Sequence, residues 1–188
     1  MSSTDRPIAD RYRDIAAGFT ARVEAVPPDA WSNPAPPDGW DARDVVRHLT
    51  EWVPGLLATG AGVVVPEGPS VDDDPAGAWA NLDRALQATL DDPSVHERRF
   101  SHPQAGDHPL DQAIGMFVMG DVLLHTWDLA HATGQDETLD ADEVAAMYEG
   151  MLPLDEMLRQ SGQYGPRVDV PDDADTQTKL IAFIGRQP

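Results

Sequence analysis

The chain has 188 residues, an ordinary size for one domain, and 41% of them are hydrophobic, enough to bury a sizeable core. Against 13 basic residues stand 33 acidic ones, and the formal net charge of −20 argues against nucleic acid or an anionic membrane as partner, since both recruit Lys and Arg. The absence of cysteine excludes a disulfide framework, a thiolate metal site and a cysteine nucleophile together, so any thiol chemistry must use a borrowed thiol.

The N-terminus, Met1 to Arg13, mixes charges of both signs without an apolar core and does not read as a signal peptide. The longest charge-free stretch, Trp52 to Pro66, is broken by Pro54, Gly55, Gly60 and Gly62 and is shorter than the roughly 20 residues of a membrane span. The expectation is a cytoplasmic protein with no membrane segment.

Helical periodicity dominates. Ile8, Tyr12, Ile15, Phe19, Val23 and Val26 form a first stripe, which Pro27-Pro28 ends. Pro34, Pro36 and Pro37 make the next stretch an extended connection. Asp41 reads as the N-cap of a second helix whose stripe is Val45, His48, Leu49, Trp52 and Leu56, and Pro54 is expected to kink or end it. After a loop containing Asp72-Asp73-Asp74, a third stripe follows at Trp79, Leu82, Leu86 and Leu90. Residues 94–107 read as a polar connection. A fourth helix starts near Pro109 and stops near Gly134. Asp140 and Glu143 open a fifth, with Val144, Met147, Tyr148, Met151 and Leu158 on its stripe. Val168-Asp-Val170 is the best strand candidate, and a terminal helix around Leu180, Ile181 and Ile184 ends at Gly185. The pattern implies one all-α domain: a four-helix core at about 6–134 and a C-terminal helical segment at about 135–188.

The fourth helix is apolar nearly all round, which marks it as the most buried. At about 100° per residue, Ile114, Phe117, Val118, Asp121, His125 and Asp128 share one arc, so three ionisable residues lie within a core-facing stripe. Carboxylates buried there without partners cost several kcal/mol, about as much as any unpaired interior charge. His48 lies on the apolar stripe of the second helix. Two readings of these residues stand side by side. In one, His48, Asp121 and His125 hold a divalent metal, with Asp128 as an acid/base group or as a partner behind a ligand. In the other, Asp121 and His125 form a structural ion pair and His48 bonds a backbone carbonyl. His131 points away from the arc. His96, His102 and His108 belong to a loop, solvated or forming a lid, and the five Trp residues read as core and loop anchors.

Trp40-Asp-Ala-Arg-Asp-Val-Val-Arg-His48-Leu, followed by Gly120-Asp-Val-Leu-Leu-His125-Thr-Trp-Asp128-Leu-Ala, resembles the DinB-like superfamily, and within it the metal-binding domain of mycothiol-dependent maleylpyruvate isomerase. The C-terminal run from Tyr164 through Leu180-Ile-Ala-Phe-Ile-Gly-Arg is similar to an uncharacterised single-domain subgroup of that branch. The resemblance implies a four-helix bundle with zinc or nickel at its end, and it places His48, Asp121 and His125 at the ligand positions. Asp121 departs from the glutamate of the isomerase and the histidine usual in the superfamily. The chain is also shorter than one that would carry the isomerase's separate C-terminal domain. The function implied is a metal-dependent transferase or isomerase with mycothiol as thiol cosubstrate and an electrophilic small molecule as substrate. The alternative is a non-catalytic metal- or ligand-binding bundle, and a homodimer is compatible with either.

Overall fold

The computed structural model describes residues 6–103, 105–162 and 164–188. Most of the chain is helical, as the periodicity requires, and the fold is all-α. The reading of the N-terminus rests partly on residues outside the described ones. Two compact units are present, Pro7–Glu137 and a smaller one drawn mainly from Thr138–Pro188.

In the larger unit, α1 (Ile8–Ala25) buries Tyr12, Ile15, Phe19 and Val23. The helix α2 (Ala42–Ala61) opens with a reciprocal cap: the Asp41 carboxylate accepts from the Asp44 N–H, and the Asp44 carboxylate accepts from the Asp41 N–H. Pro54 does not end α2, which continues to Ala61 and closes at Gly62 in the left-handed region (φ +64°). Val53, Leu57 and Gly60 flank the proline and are buried, so packing outweighs the single backbone bond that Pro54 removes. The helix α3 (Pro75–Leu90) is capped by Asp74 and buries Trp79, Leu82, Leu86 and Leu90. The acidic run therefore ends in a cap, and Asp72 pairs with Arg47.

The polar connection holds an unexpected hairpin. Strand β1 (Arg99–His102) pairs antiparallel with β2 (Gly106–Pro109), with Phe100 opposite His108. Phe100, fully buried, is the only large apolar side chain of the pair, so no alternation announces the strands. Its ring lies where a side chain at Gly60 would go: a Cβ there would sit 2.1 Å from Phe100 Cε2.

The fourth helix is one helical run in three pieces: α4 (Leu110–Ala113), a π-helical segment (Ile114–Met119) and α5 (Gly120–Thr133). The wider π turn breaks the 100° projection that joined Ile114 and Phe117 to Asp121. The spacing from Asp121 to Asp128 lies wholly in α5 and keeps it. By length and composition Leu110–Thr133 could cross a membrane, but its apolar stretch is mostly buried in the protein. The helices α1 and α2 each pack against both α3 and α5, so α1 and α2, though consecutive, occupy opposite corners of the bundle. The proline-rich connection permits this, pinned by the Ala35 N–H on Trp40 O and the Ala42 N–H on Asn33 O.

The smaller unit packs α6 (Ala141–Met151) against α8 (Thr176–Phe183). Between them lies the short α7 (Asp155–Ser161), which carries Leu158 on a helix separate from the rest of its expected stripe, because Pro153 falls in an intervening 3₁₀ turn. Val168–Val170 pairs in no strand; the Val168 N–H donates to Ala182 O instead. Asp155 pairs with Arg159 and Arg167, whose guanidinium carbons lie 4.9 and 4.4 Å from the Phe183 ring centre.

Candidate metal centre

Helices α2 and α5 bring the sequence-selected residues together. From α2, one turn apart on the same face, come His48 and Trp52; from α5 come Asp121, His125 and Asp128. One ligand atom from each of His48, Asp121 and His125 lies within 4.8 Å of the other two. His48 Nε2 is 3.1 Å from Asp121 Oδ2, and His125 Nε2 is 3.4 Å from Asp121 Oδ1. The imidazole centres are 4.9 Å apart at an interplanar angle of 67°.

Burial increases toward the bundle interior. The side chains of His48 and Asp121 keep 32% and 24% of their exposure, so the cluster is open on one side, whereas Asp128 is at 0%. Asp128 Oδ2 lies 2.9 Å from His125 Nδ1. A carboxylate at Nδ1 holds that nitrogen as the N–H donor and leaves Nε2 facing Asp121. Burial pushes the Asp121 carboxyl up. The charge of His125, the hydrogen bond and charge of His48 and the Trp52 N–H together outweigh burial, and its pKa falls below the usual carboxylate value. An anionic oxygen between two imidazoles is the donor set of a divalent transition ion, and the residues present fit one.

Trp40 and Trp52, expected as anchors, belong to the site. The Trp40 ring centre is 5.0 Å from that of His48 and 5.7 Å from that of His125, nearly parallel to the latter at 23°. Trp52 Nε1 donates to Asp121 Oδ2 at 2.9 Å. The i, i+4 spacing from His48 carries the signal for Trp52; Trp40 precedes the N-cap of α2, where no periodicity marks it. The remaining histidines lie elsewhere. His131 is exposed, pairs with Glu137 at 2.9 Å and stacks on Trp127. His102 and His108 belong to the hairpin, beside Phe100 and Phe117. Phe100 of the hairpin packs at Gly60, twelve residues or about 18 Å along α2 from His48. A cavity of about 450 Å³ opens between α2, α3 and residues 65–72, but none of the three candidate ligands lines it.

A family model described as the mycothiol maleylpyruvate isomerase N-terminal domain matches residues 12–130, a span that contains every residue of the cluster. An uncharacterized protein of Mycobacterium tuberculosis, found under separate names in two strains, is 28% identical over 179 residues, covering 94% of each chain. No solved structure matches at the same standard.

Proposed function

The chain belongs to the mycothiol maleylpyruvate isomerase N-terminal domain family, and on that premise we propose that it binds a divalent metal and works as a mycothiol-dependent transferase or isomerase on an electrophilic small molecule. The observation that carries the reading is the convergence of His48, Asp121 and His125 within 4.8 Å, open to solvent on one side, in a chain without cysteine. A divalent ion there would stabilise a thiolate at neutral pH, supplying the nucleophile that the chain lacks.

The residues themselves do the rest. His48 and His125 each present Nε2 to the site, and Asp121 adds the negative charge. Two imidazoles and one carboxylate suit zinc or nickel. Trp40 covers the imidazoles with an apolar ring and keeps water from that side. Of the two roles considered for Asp128, complete burial favours holding His125 in place over exchanging a proton with substrate. A reduced thiol cosubstrate puts the activity in the cytoplasm, where such thiols are maintained.

The test is calorimetry with mycothiol on untagged protein of measured metal content. Binding that requires the metal and is lost in His125→Ala supports the proposal. Metal-loaded protein that takes up no thiol would remove the enzyme reading and leave a non-catalytic metal-binding bundle.

A further inference from the structure

We infer that the cavity of about 450 Å³ between α2, α3 and residues 65–72 holds the sugar and cyclitol rings of the thiol cosubstrate, and that it selects an uncharged, polyhydroxylated thiol over an anionic one. The inference rests on the mycothiol reading above and names the subsite for the part of that ligand that lies off the metal.

The cavity lies in the size range of small-molecule sites, about 300–1,000 Å³. Its rim is tied down on both sides. Asn81 Nδ2 donates to Pro66 O at 2.7 Å, and Arg47 pairs with Asp44 at 3.2 Å and with Asp72 at 2.7 Å. A Cβ at Gly68 would lie 2.8 Å from Asn81 Nδ2, so this part of the rim closes directly onto α3. The carboxylates of Glu51, Glu67 and Asp72 line the cavity against one guanidinium, which is already paired with acids. That balance repels a carboxylate or phosphate ligand. Hydrogen bonding to neutral groups remains: Asn81 Oδ1 and the Glu51 carboxylate accept, and adjacent hydroxyls on a ring supply paired donors. Among the described residues no hydrogen bond or ion pair holds the exposed Glu51 side chain. Mycothiol offers such rings, an uncharged glucosaminyl-inositol amide-linked to N-acetylcysteine. Glu51 also joins the cavity to the cluster. Three residues beyond His48, it is that ligand's neighbour on the surface of α2, at about 5–6 Å between Cβ atoms. A sulfur on the ion and rings in the cavity are thus separated by one side chain, a gap that the extended cysteinyl arm spans.

Two measurements test it. N-acetylglucosaminyl-inositol keeps both rings and lacks the thiol; titrated into the protein, it should shift the backbone amide resonances of Gly68 and Asn81 in NMR spectra, with or without metal. Shifts that leave these two residues unmoved overturn the inference. Calorimetry on metal-loaded protein then compares mycothiol with N-acetylcysteinamide, which has the same thiol without the rings, and with glutathione, an anion. Mycothiol should bind about tenfold or more tightly than either. Glu51→Ala should weaken mycothiol by about tenfold or more, since a hydrogen bond to a charged group is worth about a decade of affinity, and leave N-acetylcysteinamide unchanged. Equal affinity for the three thiols, or wild-type affinity for mycothiol in Glu51→Ala, would also overturn it. The mycothiol reading itself fails by a different result, metal-loaded protein that binds none of the thiols, and the ring probe still decides the cavity in that case.

Discussion

Replacing Asp128 by Asn tests whether the buried carboxylate works through His125. The side chain is at 0% exposure and its 2.9 Å bond to His125 Nδ1 is wholly inside the protein. Asn keeps the size and still offers an oxygen to Nδ1–H, so the change is one from a charge-assisted bond to a neutral one. Charge-assisted bonds are about twice as strong as neutral ones, whose net worth is about 1 kcal/mol. The imidazole therefore loses about 1–1.5 kcal/mol of orientation and basicity, or about tenfold in metal affinity at 1.4 kcal/mol per decade. Thermal unfolding with added metal makes the loss visible. At a metal concentration a hundredfold above the wild-type dissociation constant, binding stabilises wild type by about 2.7 kcal/mol, and a tenfold weaker site by about 1.4 kcal/mol. For a chain of this length each kcal/mol is about 2–4 °C, so the metal-induced rise in Tm should fall from about 5–11 °C to about 3–6 °C. Without metal, Asp128→Asn should be no less stable than wild type, because an amide is cheaper to bury than a carboxylate. A variant that keeps the full metal-induced rise would refute the reasoning and reduce Asp128 to a structural partner of His125.

Metal stabilisation should nearly vanish in His48→Ala and His125→Ala but persist in His131→Ala, whose side chain is exposed and paired with Glu137; calorimetric melts with and without zinc compare them. Burial and then the charge and hydrogen bond of Asp83 raise the Tyr12 phenol well above its usual value. Its contribution is therefore complete below about pH 10 and is lost as pH rises toward the folded-state value, so denaturant midpoints should fall more steeply above pH 10 in wild type than in Tyr12→Phe. Gly60→Ala should destabilise by about 1–3 kcal/mol in urea unfolding, since the new methyl overlaps the Phe100 ring; an unchanged midpoint would mean that the hairpin yields freely.

The helices of this protein are largely local facts, and the sequence determined them: stripes of apolar residues at helical spacing, Asp41 and Asp140 at N-caps, and Gly134 at a C-terminal end. The spacing of Asp121, His125 and Asp128 was equally legible, because one α-helix fixes their relative directions wherever it packs. That spacing left open whether His48 meets Asp121 or a backbone carbonyl. The choice depends on α2 crossing α5 at one register, and packing between elements far apart in sequence sets that register. Tertiary structure likewise decided that α2 continues through Pro54, that the fourth helix contains a π segment, and that Phe100 turns a polar stretch into a hairpin. In each case buried contacts with a distant element outweigh a local preference of a few kcal/mol. Trp40 joined the site by the same route: its ring reaches the two imidazoles only once the proline-rich connection has folded back onto the start of α2, and nothing in its neighbours along the chain records that contact.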